Sequence, residues 1–533
     1  MKNLRRWLCL LAAFCLLLPL SACGGKADGD FTVILPSNLS TLDPQIATGT
    51  SADWVIGSIF EGLCRLDDEG HAVPGVATRW SHDRNYTRFT FHLRKTGWSN
   101  GEAVTAEDFR FAICRALSPQ TGASAPEDLF VIKNARAFYD GIVSEDALGV
   151  QAENDRTLVI ELEQSYADFP ILTAGNHYMP CNQAFFEECA GHYGQSGRYV
   201  LTNGPFTLPH EYAWDTDYGE RKLSLVRAND YRGDRKVQPA SLTYLIDYDE
   251  LYDTDRLSGL SDGSLDLRIL PNAQTAELYR EEQGGDVLSI KNGVTGILLN
   301  AASDQLHYVG TRRLFLQSLD RAALLAASDA QNDETPGIMP EIVRWNGKPY
   351  YGEGEFCYAE QDEDVAQTIP SLLELLRFNE VPCITLLYPQ EEGDSDMGPI
   401  SPEIVLNQWN TALSGAFNMQ GMPASTLSYR VANGEYDAAV YTLRASGPTA
   451  FHVLGAFSGA SVPLLFQDES FDEALIGLHF TKEDFGRLER QLCEDYVFYP
   501  LVSTPTYYAV APKVGGIRIN ADGRPDFISA KKK

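Results

Sequence analysis

Between Tyr86 and Leu117 the chain changes rhythm twice. Phe89, Phe91 and Leu93 alternate with Thr90, His92 and Arg94, which predicts a strand with one buried face. Trp98-Ser99-Asn100-Gly101 ends the alternation, and Asn-Gly predicts a tight turn with positive φ angles. Phe109, Ala112, Ile113, Ala116 and Leu117 then recur at three and four, one apolar face of a helix. Thr105 reads as its N-cap. Glu107 and Asp108 place negative charge against the positive end of the helix dipole.

The same two periods recur along the chain. Strands are predicted at Phe31–Leu35, Thr157–Leu162, Leu223–Arg227, Leu242–Ile246, Gly296–Asn300, Cys383–Tyr388 and Tyr436–Tyr441. Helices are predicted at Val131–Ala135, from Thr311 to Arg321 with Leu314, Phe315, Leu319 and Leu324 inward, and at Leu372–Phe378 and Ile404–Leu413. Asp67–Gly75 reads as a hairpin turn, and Lys531–Lys533 as a frayed tail. No repeat or low-complexity segment interrupts this order. At 533 residues, 44% hydrophobic and 22% charged, the chain is long enough for several cores and too apolar to be disordered.

The segment FTFHLRK-x-GWSNGEAVTAEDF, from Phe89 to Phe109, resembles the signature of the extracellular solute-binding proteins of oligopeptide and dipeptide ABC transporters. Ser40-Thr41-Leu42-Asp43-Pro44, Phe60-Glu61-Gly62-Leu63, Val76-Ala77-x-x-Trp80, Asn203-Gly204-Pro205-Phe206 and Tyr436-Asp437-x-Ala439 are similar to further motifs of that family. The resemblance implies an α/β fold. Two lobes of the periplasmic-binding-protein kind (type II, Venus-flytrap) would close on a solute, with an extra α/β domain inserted in the first. On that pattern residues 31–60, 200–291 and 498–533 make lobe I, 61–199 the inserted domain and 292–497 lobe II. The partners it implies are a peptide or peptide-like solute and the permease subunits of an ABC transporter, served by a monomer.

The N-terminus gives the compartment. Lys2, Arg5 and Arg6 precede an apolar run from Trp7 to Leu20, short for a membrane-spanning helix and typical of a signal peptide, residues 1–22. Leu20-Ser21-Ala22-Cys23 matches a bacterial lipobox, which makes Cys23 the lipidation site and 23–30 a tether on the extracytoplasmic face of the cell membrane. The formal charge of −30 becomes −33 without the leader's three basic residues. That excludes nucleic acid as a partner and leaves the lipid anchor as the membrane contact. Seven cysteines remain beyond Cys23, an odd number; Cys181 and Cys189 are near enough in sequence to bridge, and no C-x-x-C pair suggests zinc.

No phosphate loop, H-E-x-x-H or G-x-S-x-G appears, and the nine histidines fit no ligand spacing. The expectation is a binding protein that is not an enzyme, with no metal and no cofactor. The ligand site follows from the resemblance, and there the chain departs from its relatives. Peptide binders of the family hold the α-amino group with the aspartate of W-x-A-D-Y; here the segment reads Leu443-Arg444-Ala445-Ser446. A neutral hydroxyl cannot balance a buried ammonium. The pocket loop after the Asp43 motif reads Thr48-Gly49-Thr50, without an acid, and Leu298 stands two residues before Asn300, where peptide binders can carry a glutamate. A modified or blocked peptide, or an anionic small molecule, suits Arg444 and Ser446 better than a free-amine peptide. The alternative is a surface lipoprotein with a degenerate or non-peptide cleft, acting as sensor or adhesin without transport.

Overall fold

The computed structural model describes residues 29–532 apart from 122–126, 212, 215–221, 247–256, 329–332, 353–370, 372, 375–380, 391–397, 459–464, 467 and 477–480. The leader with Cys23, Cys357 and most of the helix predicted at Leu372–Phe378 fall outside that set. No helix among the described residues is long and apolar enough to cross a membrane.

Phe31 and Val33 enter the core from β1 (Asp30–Ile34), and α1 (Thr50–Ile59) follows the Asp43 motif. The next segment builds a sheet of its own. The strands β2 (Ala77–His82), β3 (Arg88–Leu93), β4 (Val150–Asn154) and β5 (Thr157–Glu161) pair antiparallel in the order β2-β3-β5-β4. The buried face of β3 is the one its alternation predicts: Phe89 and Phe91 pack on Phe169, with ring centroids 5.1 and 6.3 Å apart. The helix α2 (Ala106–Leu117) covers β4 and β5. Its start is held by one carboxylate oxygen: Asp108 Oδ2 accepts from the Thr105 amide at 2.7 Å and hydroxyl at 3.1 Å, and from Trp98 Nε1 at 3.4 Å. In the turn before it only Gly101 takes a positive φ, +90°, so Asn100 keeps an ordinary backbone.

The second sheet is ten-stranded. It comprises β1 with β6 (Phe206–Thr207), β7 (Lys222–Arg227), β8 (Ser241–Leu245), β9 (Leu267–Leu270), β10 (Asp286–Leu299), β11 (Thr385–Pro389), β12 (Asn418–Met422), β13 (Ala438–Arg444) and β14 (Phe498–Val510). The order is β12-β11-β13-β10-β14-β9-β1-β8-β7-β6. Sequence-distant strands therefore lie side by side, and β10 and β14 stand in the middle. Behind the β11–β13 end, α3 (Val309–Gln317), α4 (Arg321–Ala326) and α5 (Pro402–Ala412) enclose a separate core of Ile297, Leu299, Phe315, Trp409 and Val440. Trp409 Nε1 donates to the Phe315 carbonyl at 2.8 Å.

Three expectations need correction. The single helix from Thr311 to Arg321 is two, because Asp320 caps a new start: its Oδ1 accepts from the Ala323 amide at 3.0 Å. Val131–Asn134 is not helical; Asn134 has a φ of +62° and the helix begins at Ala135. The tail is not frayed, since Lys531–Lys532 pairs with Val514–Gly515 and Lys532 Nζ reaches Asp266 Oδ1 at 2.9 Å. Cys181 and Cys189 are both buried free thiols, without a bridge.

The motif residues meet in space. Asn203 Oδ1 accepts from the Glu61 amide at 3.0 Å while its Nδ2 donates to the Glu61 carbonyl at 2.9 Å. Gly204 follows because a Cβ there would stand 2.5 Å from the Ile59 carbonyl carbon. The Glu61 carboxylate, nearly buried, pairs with Arg94 of the strand motif and accepts from Tyr231 Oη at 2.9 Å. Asp43 Oδ2 accepts from Arg115 Nη1 of α2 at 2.8 Å. A buried carboxylate is tolerable only when paired and hydrogen-bonded, so these conserving contacts make the motif acids structural.

Candidate ligand-binding cleft

The geometry begins with the two central strands. From Asp286↔Val510 to Ile290↔Thr506, β10 and β14 pair on the side of β9. After an irregularity at Lys291–Asn292 they pair again from Gly293↔Thr504 to Leu298↔Phe498, beside β13, with a second register shift between Thr295 and Gly296. Both strands thus run the length of the sheet's middle, and their pairing is irregular at these two points. Paired strands with a local break are where a hinge can absorb a change of φ and ψ.

Contacts join the small-sheet segment to the chain beyond β10. Tyr166, after β5 of the small sheet, packs between Trp345 (6.2 Å) and Phe451 (5.9 Å). The Asn346 amide donates to Asp168 Oδ2 at 2.7 Å. Behind these contacts lies a polar cluster drawn from five separated segments. Asp53 of α1 accepts from Asn176 Nδ2 at 2.7 Å, Arg524 Nε donates to Asp522 Oδ2 at 2.7 Å, and His177 Nδ1 lies 2.7 Å from Asp128 Oδ1. Burial, against the opposing pull of Arg524, lifts the Asp53 carboxyl to about 6. Burial pulls His452 down to about 4, so its ring is neutral at pH 7. Burial also pushes Asp128 up, but the His177 charge and hydrogen bond outweigh it and hold the carboxyl below its usual range.

The sequence-predicted residues are placed unevenly around this cleft. Thr48, Gly49 and Thr50 are exposed at the start of α1, one turn from Asp53, and Gly49 has a φ of +89°. Leu298 and Leu443 are buried in the core at 0% and 2% exposure. Asn300 is spent on structure: Nδ2 donates to the Gly434 and Tyr436 carbonyls at 3.1 and 2.7 Å, and Oδ1 accepts from the Ala302 amide. Ser446 is exposed. Arg444 ends β13 directly over the break in the hinge, and its Nη1 donates to Thr506 Oγ1 at 2.7 Å. It keeps solvent-accessible surface, yet burial lowers its basicity. Both hold for a side chain that lines a water-reached cleft. Tyr508 links the two ends: it feels the charges of Arg444 and Asp522, donates to the Gly523 carbonyl at 3.1 Å and packs on Trp54 of α1. Among the described residues no group of three or more metal-ligating side chains assembles.

Sequence reading missed Asp53, Asp128, His177, His452, Asp522 and Arg524. Asp53 alone had a signal, as the one charge on an otherwise apolar α1.

Residues 71–462 match the family described as bacterial extracellular solute-binding proteins, family 5 Middle. The chain belongs to this family. As a family 5 solute-binding protein it is 27% identical over 435 residues to the oligopeptide-binding protein OppA of Bacillus subtilis, covering 75% of each chain. The Escherichia coli murein tripeptide binding protein MppA superposes with a TM-score of 0.76 at 21% identity, over 95% of this chain and 99% of that one. Its unliganded open form superposes at only 0.61, at 21% identity and over 95% and 98% of the chains. The family 5 fold here is thus the two-lobed α/β one.

Proposed function

We propose that this chain captures a peptide or peptide-like solute between its lobes and delivers it to the permease subunits of an ABC transporter. It would do so as a monomer, from the extracytoplasmic face of the cell membrane, held by lipid on Cys23. The observation that carries this reading is the pair of long central strands, β10 and β14, whose pairing is irregular at Lys291–Asn292 and again at Thr295–Gly296, a joint on which two lobes would move. Such a joint lets ligand contact stabilise the closed state by its differential affinity, with no covalent step. The relatives whose names specify oligopeptides and a murein tripeptide support a peptide-like solute. The pairing of β14 with β9 from Tyr507 onward supports a return to lobe I near residues 504–506.

Thr48, Gly49, Thr50, Arg444 and Ser446 fit this role as ligand contacts. Leu298, Leu443 and Asn300 fit better as the wall behind them, given their burial and saturated hydrogen bonds. With Ser446 where peptide binders carry aspartate, the ligand is one that does not depend on a carboxylate at that position. The test is mass spectrometry of solute released by denaturing the purified protein, followed by titration with peptides of defined ends. One peptide-like molecule per chain is expected. A protein that releases nothing and whose melting temperature responds to no peptide overturns the reading.

A further inference from the structure

Arg444 is exposed at the end of β13. Among the described residues one of its nitrogens makes hydrogen bonds. Nη1 donates to Thr506 Oγ1 at 2.7 Å and, at longer range, to the Thr504 carbonyl (3.4 Å) and Asn292 Oδ1 (3.5 Å). All three acceptors are neutral. Nε and Nη2 make no hydrogen bond among the described residues, and no carboxylate there pairs with the guanidinium, in a chain of net charge −30. The groups that bear on its charge are two phenols, Tyr508 and Tyr441.

Because Arg444 is exposed, its guanidinium edge, with no carboxylate partner among the described residues, stands open to a ligand. Its planar fork of donors matches a carboxylate two bonds at a time. The position is also built. Gly293 lies under the side chain, where a Cβ would come within 3.0 Å of Nη1. A strip of hydroxyls continues along the same three strands: Thr295 Oγ1 lies 2.7 Å from Thr442 Oγ1 and 2.6 Å from Thr504 Oγ1. Thr506 in turn donates to Asn292 Oδ1 at 2.7 Å, at the break in β10.

We propose that Arg444 is the anion anchor of the cleft: it receives a carboxylate of the ligand on its free edge, directly over the hinge. This rests on the solute-binding reading above and narrows it to acidic solutes. The chemistry fits either the C-terminal carboxylate of a peptide or an acidic side chain. Because Arg444 of β13 also holds Thr506 of β14 and the broken segment of β10, the anion draws together the central strands of the sheet.

Calorimetry on the purified protein decides it with four sets of N-acetyl tripeptides: free acids with neutral side chains, the matching C-terminal amides, amides bearing one Asp or Glu, and amides bearing one Lys. One of the two carboxylate sets should bind about ten- to a hundred-fold more tightly than the neutral amides, and which one names the source. Arg444→Gln should erase that preference, so that carboxylate and amide sets bind alike, and Arg444→Lys should keep part of it. Equal binding of all four sets, or a preference that survives in Arg444→Gln, overturns the proposal. A second measurement separates the two readings: melting with succinate against chloride at fixed ionic strength. Stabilisation by succinate that Arg444→Gln abolishes, with no peptide bound, upholds the anion anchor and removes the peptide reading. No response to peptide or succinate removes both.

Discussion

Asp53 shows what a single side chain contributes at the cleft. It faces Asn176, His177, Asp522 and Arg524, and burial outweighs the help of Arg524, so its carboxyl titrates near 6 instead of 3.8. The sign follows from proton counting. Between about pH 4 and 6 the folded chain binds the proton that the unfolded chain has released, so stability falls as pH rises through that window. Above it the whole cost of the ionised form remains. Asp53→Asn keeps an acceptor for Asn176 Nδ2 and removes the charge. Its melting temperature should therefore match the parent protein at pH 4 and exceed it at pH 7, a gain of about 1–3 kcal/mol. Chemical denaturation across that range checks the prediction; a constant difference between the two proteins refutes it. Only Asp53 left a trace in sequence, as the one charge on α1. Asp128, His177 and Asp522 come from three other distant segments, and each taken alone has the look of a solvated charge.

Elements were read more faithfully where one face dictates the pattern. The alternation of Phe89, Phe91 and Leu93 placed β3 and its buried side, because a one-residue slip would turn every phenylalanine to water. Phe91→Ala should cost about 3–5 kcal/mol, measured by denaturant unfolding, since the ring is fully buried against Phe169 and Phe89. The helix motif at 311–321 was misread because its apolar positions run on in phase through a break that a capping aspartate imposes. The hinge was legible only in part: Gly296–Asn300 announced a strand, but β10 begins ten residues earlier. Gly293 is the element's tight point. A Cβ there would lie 2.6 Å from the Thr504 carbonyl oxygen, which the pairing of β10 with β14 cannot yield cheaply. Gly293→Ala should lower stability by about 1–3 kcal/mol and weaken solute binding, whereas Gly455→Ala, with nothing within 4 Å of its Cβ and an ordinary φ of −57°, should leave solute binding unchanged. Melting curves and titrations of the two variants test the contrast.

At the scale of the molecule the question is what would shut two halves around a water-reached cleft. The hinge strands permit the motion but do not favour either end of it. Contacts between the small-sheet segment and the chain beyond β10 include the aromatic ones, Tyr166 with Trp345 and Phe451, and the Asn346 amide on Asp168. Aromatic pairs of this kind add about 0.5–1.5 kcal/mol each beyond their burial. Weakening them lowers the population of the closed form, and apparent affinity falls by the fraction of molecules still able to bind. Tyr166→Phe keeps the ring packing and should bind solute nearly as the parent does. Tyr166→Ala should weaken binding about ten-fold or more through faster dissociation, while the preference for carboxylate over amide stays as it was, because Arg444 is untouched. X-ray scattering should show a larger radius of gyration for the alanine variant without solute, and a return toward the parent value at saturation. A Tyr166→Ala protein with unchanged dissociation rate and unchanged scattering would mean that closure is decided at the hinge and the cleft alone.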